Sequence, residues 1–250
     1  EVLAHRGWVA GGVENTLPAL HAAKQSGAHR VEFDVLQTKD NKFVVMHDTN
    51  LQRLAGIDRN VKDMTQAELM QVTVRANGME ATIPSLEQWI ETSKELDLPQ
   101  LLEVKIHGAE SPDMIPRLLA LLDSYDVTDW YIYHSLSRNV VEQLKAARPG
   151  LAVGYIVPIN FGGIPKINSD FIVIEEGSYS QGFLQQARDE DFAILVWTPN
   201  TSERIRTYMR DGADGVITDS PHLGVTEEAT ISDEKGLAPR LLDRIERGFD

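Results

Sequence analysis

His5-Arg6-Gly7 stands at the start of the chain, and His47-Asp48 follows well downstream. Between them lies Glu32-Phe33-Asp34, and beyond them Glu103-Val104-Lys105. An imidazole titrates near neutral pH, so His5 and His47 suit general acid–base work. Arg6 offers a guanidinium that pairs with phosphate oxygens, and Gly7 after it permits close approach. Lys105 can hold a second phosphate oxygen as a point charge. Strand side chains alternate with period two, so Glu32 and Asp34 share one side and Glu103 shares a side with Lys105. If those sides meet, three carboxylates converge, and an all-oxygen set favours one hard divalent cation, Mg²⁺ or Ca²⁺, over zinc. The alternative is that the same acids lie on the surface or pair with Lys105 or Arg30. Carboxylates inside apolar strand runs are costly to bury without partners, which favours the metal reading. The whole set suits a metal-assisted attack on a phosphodiester. Of the other histidines, His21 and His29 read as structural and His222 as loop surface. His107 and His134 sit near strand ends and rank behind His5 and His47.

These groups need a scaffold that gathers them. Eight short apolar runs alternate with helix-period segments: Val2–Ala4, Arg30–Val35, Leu101–Ile106, Trp130–Tyr133, Leu151–Val157, Phe171–Ile174, Ala193–Trp197 and Gly215–Thr218. Their near-continuous hydrophobicity is that of strands buried on both faces. Helical periodicity fills the gaps at Thr16–Gly27, Ser85–Leu96, Pro112–Tyr125, Ser137–Ala147, Ser180–Asp189 and Ser202–Gly212. The pattern predicts an α/β fold, a (β/α)8 TIM barrel, with an open doubly wound sheet as the alternative. No G-x-G-x-x-G follows the first strand, which disfavours the latter. Reactive residues in such barrels sit at the C-terminal ends of strands, where His5, Arg6, Glu32, Asp34, Glu103, Lys105, Trp197 and Asp219 all fall. A small insertion, about residues 39–82, follows the second strand; it contains a short strand at Phe43–Met46 and a helix at Thr65–Val72 with Thr65 and Glu68 at capping-box positions. The barrel domain is expected over residues 1–224, and 225–250 as an acidic C-terminal helix or tail outside it.

Bulk properties narrow the partners. The chain has 250 residues and a net charge of −14 with no basic stripe, which argues against nucleic-acid binding. An acidic enzyme acting on an anionic diester needs a local positive site, and a divalent cation supplies one. There is no cysteine, hence no disulfide and no thiolate nucleophile or ligand. No apolar run is long enough to span a membrane. The chain begins at Glu1 and reaches reactive residues by position 5, an abrupt start that suggests a trimmed domain or processed form.

The ordered motifs resemble the glycerophosphodiester phosphodiesterase family. They are A-H-R-G at 4–7, E-N-T-L at 14–17, V-E-F-D-V at 31–35, H-D at 47–48, L-E-V-K at 102–105, V-W-T-P-N at 196–200 and D-G-V-I-T-D-S-P at 214–221. The resemblance implies a TIM barrel with an insertion after the second strand. It implies hydrolysis of glycerophosphodiesters to sn-glycerol 3-phosphate and an alcohol with a divalent cation. By it, His5 and His47 are the acid–base pair, and Glu32, Asp34 and Glu103 are metal ligands. Arg6 and Lys105 fall on phosphate-contacting positions, Trp197 on the pocket wall, and Glu14-Asn15 supports the site or caps the first helix. Departures are Gly11-Gly12-Val13 where Pro often precedes Glu-Asn, and Ser135-Leu136 in place of the usual fourth-strand aromatic. The start also resembles catalytic domains tethered behind a membrane region at the cell surface, with polyglycerol-phosphate polymers such as lipoteichoic acid as substrates. Alternative readings are a phospholipase C- or D-like enzyme releasing a cyclic phosphate, and a non-catalytic phosphoglycerol-binding module.

Overall fold

A computed structural model describes residues 1–159 and 162–232. Eleven strands occur among them: β1 (Val2–His5), β2 (Arg30–Gln37), β3 (Phe43–Val45), β4 (Thr73–Ala76), β5 (Met79–Thr82), β6 (Gln100–Val104), β7 (Ile132–Ser135), β8 (Val153–Val157), β9 (Phe171–Glu175), β10 (Ala193–Trp197) and β11 (Gly215–Thr218). β1, β2 and β6 to β11 pair in parallel, and β1 pairs with both β2 and β11, which closes an eight-stranded barrel. The predicted TIM barrel is therefore the observed fold.

Period-two alternation sorts the strand side chains into two layers. Ala4, Phe33, Leu102, Val104 and Tyr133 point outward and pack under the helices. Trp89 of helix α4 (Leu86–Glu95) is fully buried there, stacked on Phe33 at 4.9 Å with its Nε1–H donated to Gln100 Oε1 at 2.9 Å. Leu3, Leu101, Ile156, Phe171, Val173, Leu195 and Ile217 point inward and fill the barrel. Gly154 takes an inward position on β8 because a Cβ there would lie 2.1 Å from the Phe171 ring.

The insertion is a small lobe with its own apolar centre. β3 runs antiparallel to β2, and helices α2 (Gln52–Ala55) and α3 (Gln66–Leu69) follow. The Thr65–Glu68 capping box is present as expected. The β4–β5 hairpin was not anticipated; its Asn77-Gly78 turn has both residues at positive φ, 53° and 76°, as a two-residue type I′ turn requires. Leu51, Leu54, Val61, Met64, Leu69 and Val74 pack on Val13, Leu36, Val44 and Met46, so the lobe is welded to the barrel.

Several boundaries differ from expectation. β6 ends at Val104, leaving Lys105 just beyond it. β7 continues to Ser135 and so includes His134. The expected division at residue 224 falls inside a helix of residues 221–232, whose Glu227 and Ile231 are buried. The rest of the predicted tail, 233–250, lies outside the described residues. His222 is exposed as expected, but on the first turn of that helix, with its ring 5.1 Å from Trp8. No helix among the described residues is long and apolar enough to cross a membrane.

Gly7 holds the β1 loop against helix α1 (Leu17–Gln25). Its φ is +84°, and a Cβ would lie 2.8 Å from Ala19 backbone atoms. Gly7 is therefore required for the close approach of this loop to α1. Gly7→Ala is expected to destabilise the fold by about 1–3 kcal/mol from backbone strain alone. A lowered midpoint in urea unfolding at unchanged slope checks this.

Candidate active site

The barrel mouth is lined by one inward residue from each strand: His5, Glu32, Glu103, His134, Ile156, Val173, Trp197 and Ile217. The first four are polar and neighbours in the sheet, and the last four are apolar or aromatic. His47, Arg6, Lys105 and Leu136 complete the lining. The pocket therefore has one charged half and one greasy half. The structure brings all the predicted site residues together except that Asp34, two positions above Glu32 on β2, is 1% exposed and does not reach the pocket surface.

Strand register does the gathering. His5 pairs with Glu32, Asp34 with Glu103, and Glu103 with His134. Asp34 is the anchor of the cations: Arg6 Nε lies 3.5 Å from its Oδ2 and Lys105 Nζ 3.4 Å from its Oδ1. Asn15 donates Nδ2–H to Asp34 Oδ2 at 2.7 Å and accepts from the Asp34 amide at 3.1 Å. Asn15 thus supports the site, and its positive φ of 57° sets that grip. Burial would raise the Asp34 carboxyl, but Lys105 and Arg6 outweigh it and hold it well below the usual carboxylate range. Glu103 is shifted the other way, up, by burial and by the Asp34 charge, despite the Lys105 Nζ donating to it at 3.0 Å. Glu32 accepts from the Arg6 backbone amide at 3.1 Å.

His5 and His47 are each held through Nδ1 by an aspartate. His5 Nδ1 is 2.7 Å from Asp219 Oδ1, and Asn200 Nδ2 donates to Asp219 Oδ2 at 2.7 Å. Burial lowers the His5 pKa, but the Asp219 hydrogen bond and the Glu32 charge overcome it and the net shift is upward. His47 Nδ1 is 2.6 Å from Asp48 Oδ1. An Nδ1-bound carboxylate fixes the ring plane and leaves Nε2 for proton exchange.

Arg53 of the insertion was not anticipated. It donates Nε–H to Asp48 at 2.5 Å and both terminal nitrogens to Glu14 at 2.8 and 2.6 Å, and Glu14 also accepts from Arg6 at 2.9 Å. One chain of charged hydrogen bonds therefore runs His47–Asp48–Arg53–Glu14–Arg6. A second cleft, lined by Arg6, Val9, Glu14, Ala76, Asn77 and Asp219 among others, lies beside His5 under the β4–β5 tip.

The donor set suits a divalent cation. Donor atoms of Glu32, Glu103 and His134 all lie within 4.8 Å of one another. Asp34 Oδ1 is buried without a hydrogen bond. Glu32, Asp34 and Glu103 outnumber Arg6 and Lys105, a balance that favours a further positive charge at this site.

A model of the glycerophosphoryl diester phosphodiesterase family matches residues 5–223. A glycerophosphodiester phosphodiesterase of Caldanaerobacter subterraneus subsp. tengcongensis is 24% identical over 233 residues, 88% of this chain and 94% of that protein. A lysophospholipase D of Homo sapiens is 26% identical over 265 residues, covering 88% of this chain and 83% of its own. Among solved structures, a glycerophosphodiester phosphodiesterase of Thermotoga maritima matches with a TM-score of 0.73 at 29% identity, over 90% of this chain and 96% of that one. A phosphodiesterase of Oleispira antarctica, in complex with the product sn-glycerol-3-phosphate, shares the fold with a TM-score of 0.79 at 24% identity, over 92% and 96% of the two chains.

The hydrogen-bond chain generates a prediction. Arg53→Ala frees the His47–Asp48 pair and the Arg6–Glu14 pair at once, and turnover of a phosphodiester should fall by roughly 10–100-fold, as for other orienting groups. Asp219→Asn should produce a comparable loss through His5. Steady-state kcat on folded variants checks both; wild-type kcat in either would show that its histidine needs no such support.

Proposed function

The chain belongs to the glycerophosphoryl diester phosphodiesterase family, and from that premise we propose that it hydrolyses glycerophosphodiesters to sn-glycerol 3-phosphate and an alcohol with His5 and His47 as its acid–base pair. The observation that carries this is a single pocket lined by both histidines, by Arg6 and Lys105, and by Glu32 and Glu103.

We read Glu32, Asp34 and Glu103 as the carboxylates that would hold a divalent cation. When bound, such an ion supplies Lewis-acid stabilisation of the phosphoryl oxygens as charge builds on them. Arg6 and Lys105 bind and orient the diester; both are pre-positioned on Asp34, and Arg6 Nε is buried with no hydrogen bond of its own. One histidine takes a proton at Nε2 from the nucleophile, and the other gives one to the leaving alkoxide oxygen. The nucleophile is water or the glycerol 2-hydroxyl; the second route passes through a cyclic phosphate that water opens. Ile156, Val173, Ile217 and Trp197 form the half that suits the carbon side of glycerol and excludes water. We assign the alcohol half of the substrate to the second cleft, beside His5 and beneath Ala76. Polyglycerol phosphate is the polymeric candidate for it.

The direct test is turnover of glycerophosphocholine with release of sn-glycerol 3-phosphate. Chelator should abolish it, and a divalent cation should restore it. His5→Ala and His47→Ala should each lower kcat by roughly 10²–10⁴-fold. His21→Ala, on the exposed face of α1, is the silent control. Full activity in chelator, with bound metal excluded by elemental analysis, would overturn the metal dependence; a folded histidine variant with near wild-type kcat would remove that histidine from the pair.

Specificity has its own test. Ala76→Phe should narrow the second cleft and raise KM for glycerophosphocholine and polyglycerol phosphate more than for the smallest diester. An unchanged ranking across that panel would move the alcohol site elsewhere.

A further inference from the structure

His134 is a buried imidazole that the acid–base reading leaves unused. It is 2% exposed, and neither ring nitrogen has a hydrogen-bond partner. An unpaired buried polar group costs about 1–3 kcal/mol, so such a ring in a packed barrel calls for an occupant. The ring cannot easily turn away. β7 registers His134 beside Glu103, and the next residue, Ser135, is tied by its hydroxyl donating to the Val104 carbonyl at 2.7 Å. Its Nε2 lies 3.6 Å from Glu32 Oε1. Among the described residues no lysine or arginine side chain pairs directly with Glu32, whereas Asp34 has Arg6 and Lys105, and Glu103 has Lys105. The positive charge missing from the mouth is missing where His134 sits.

We propose that His134 is a ligand of the divalent cation, adding an imidazole nitrogen to the carboxylates, and that the site for this reason favours borderline ions such as Mn²⁺, Co²⁺ or Zn²⁺ over Mg²⁺ and Ca²⁺. The inference rests on the metal-dependent reading above. The chemistry is a matter of ligand softness: hard Mg²⁺ and Ca²⁺ take oxygen donors, whereas imidazole suits later first-row ions. It departs from the all-oxygen set read from the sequence. It gives His134 a task that a hydrogen bond to Glu32 would not.

Calorimetric titration of the metal-stripped full chain with Zn²⁺, Mn²⁺ and Mg²⁺ separates the cases without an activity readout. Wild type should bind Zn²⁺ and Mn²⁺ more tightly than Mg²⁺. His134→Gln should weaken Zn²⁺ binding by roughly 10–100-fold while changing Mg²⁺ affinity by less than about threefold, the range seen when groups around a metal are lost. Electron spin-echo modulation of the Mn²⁺-loaded wild type should show directly bound ¹⁴N, retained in His47→Ala and lost in His134→Gln. Selectivity unchanged by His134→Gln, or an Mn²⁺ complex without bound nitrogen, overturns the proposal and leaves the carboxylate site standing. A wild-type chain that binds no cation overturns the metal reading itself. If His134→Gln does not fold, a ¹⁴N signal retained in both His5→Ala and His47→Ala supports the assignment to His134, and its loss in either overturns it.

Discussion

Three carboxylates buried in one barrel mouth are the constraint around which the rest is arranged. Glu32, Asp34 and Glu103 are 2%, 1% and 9% exposed. Like charges so close and so dry cannot all stay ionised unless cations and donors surround them. Arg6 and Lys105 converge on Asp34, Asn15 grips it from two sides, and the Arg6 amide serves Glu32. The opposite shifts of Asp34 and Glu103 record how that supply is divided: the acid with two cations is held low, and Glu103, with Lys105 alone against burial and the Asp34 charge, is pushed up. Such a charge array is costly for folding. It is retained because a preorganised field of this kind is what a charged transition state requires.

The barrel converts strand periodicity into a two-sided pocket. Every second residue points inward, so each strand contributes one group at the depth of the mouth. β1, β2, β6 and β7 contribute ionisable groups, whereas β8 to β11 contribute Ile156, Val173, Trp197 and Ile217. Polar chemistry and apolar exclusion therefore lie on opposite arcs of one ring, without any loop having to create the division. Closure through β1 is what makes the arcs meet, since His5 touches Asp219 after β11 on one side and pairs in register with Glu32 on the other.

The insertion does more than roof the site. Its apolar centre is shared with Val13 and Leu36 of the barrel, and its Arg53 binds the aspartate behind His47 and the glutamate behind Arg6. The segment that carries Ala76 of the cleft proposed for the alcohol is thereby coupled to both His47 and Arg6. Removing it would strip apolar surface from the barrel and unlatch His47 together. The pairing of Arg53 is also mutual: Glu14 and Asp48 keep its guanidinium charged more firmly than usual, and burial, which would raise both acids, is outweighed by the arginine.

Residue order alone was enough for the barrel, because eight doubly buried strands leave continuous apolar runs that helical segments do not. It was enough for His5, Arg6, Glu32, Glu103, Lys105 and Trp197 as neighbours, because strand ends in a closed barrel meet at one face. It carried the Thr65 capping box, since that motif is local. It did not carry His134 as a pocket residue: a strand read as ending at Tyr133 stops one position short, and a single-residue error at a strand end decides whether a side chain is in the barrel or in a loop. Nor did it carry Arg53 or the burial of Asp34 behind its cations. Those depend on which charged side chains fold to within hydrogen-bond reach across long sequence separations, and no spacing along the chain encodes that distance. Chemistry written within one strand can be read from its period, whereas chemistry shared between strands and an inserted lobe exists only once the barrel has closed.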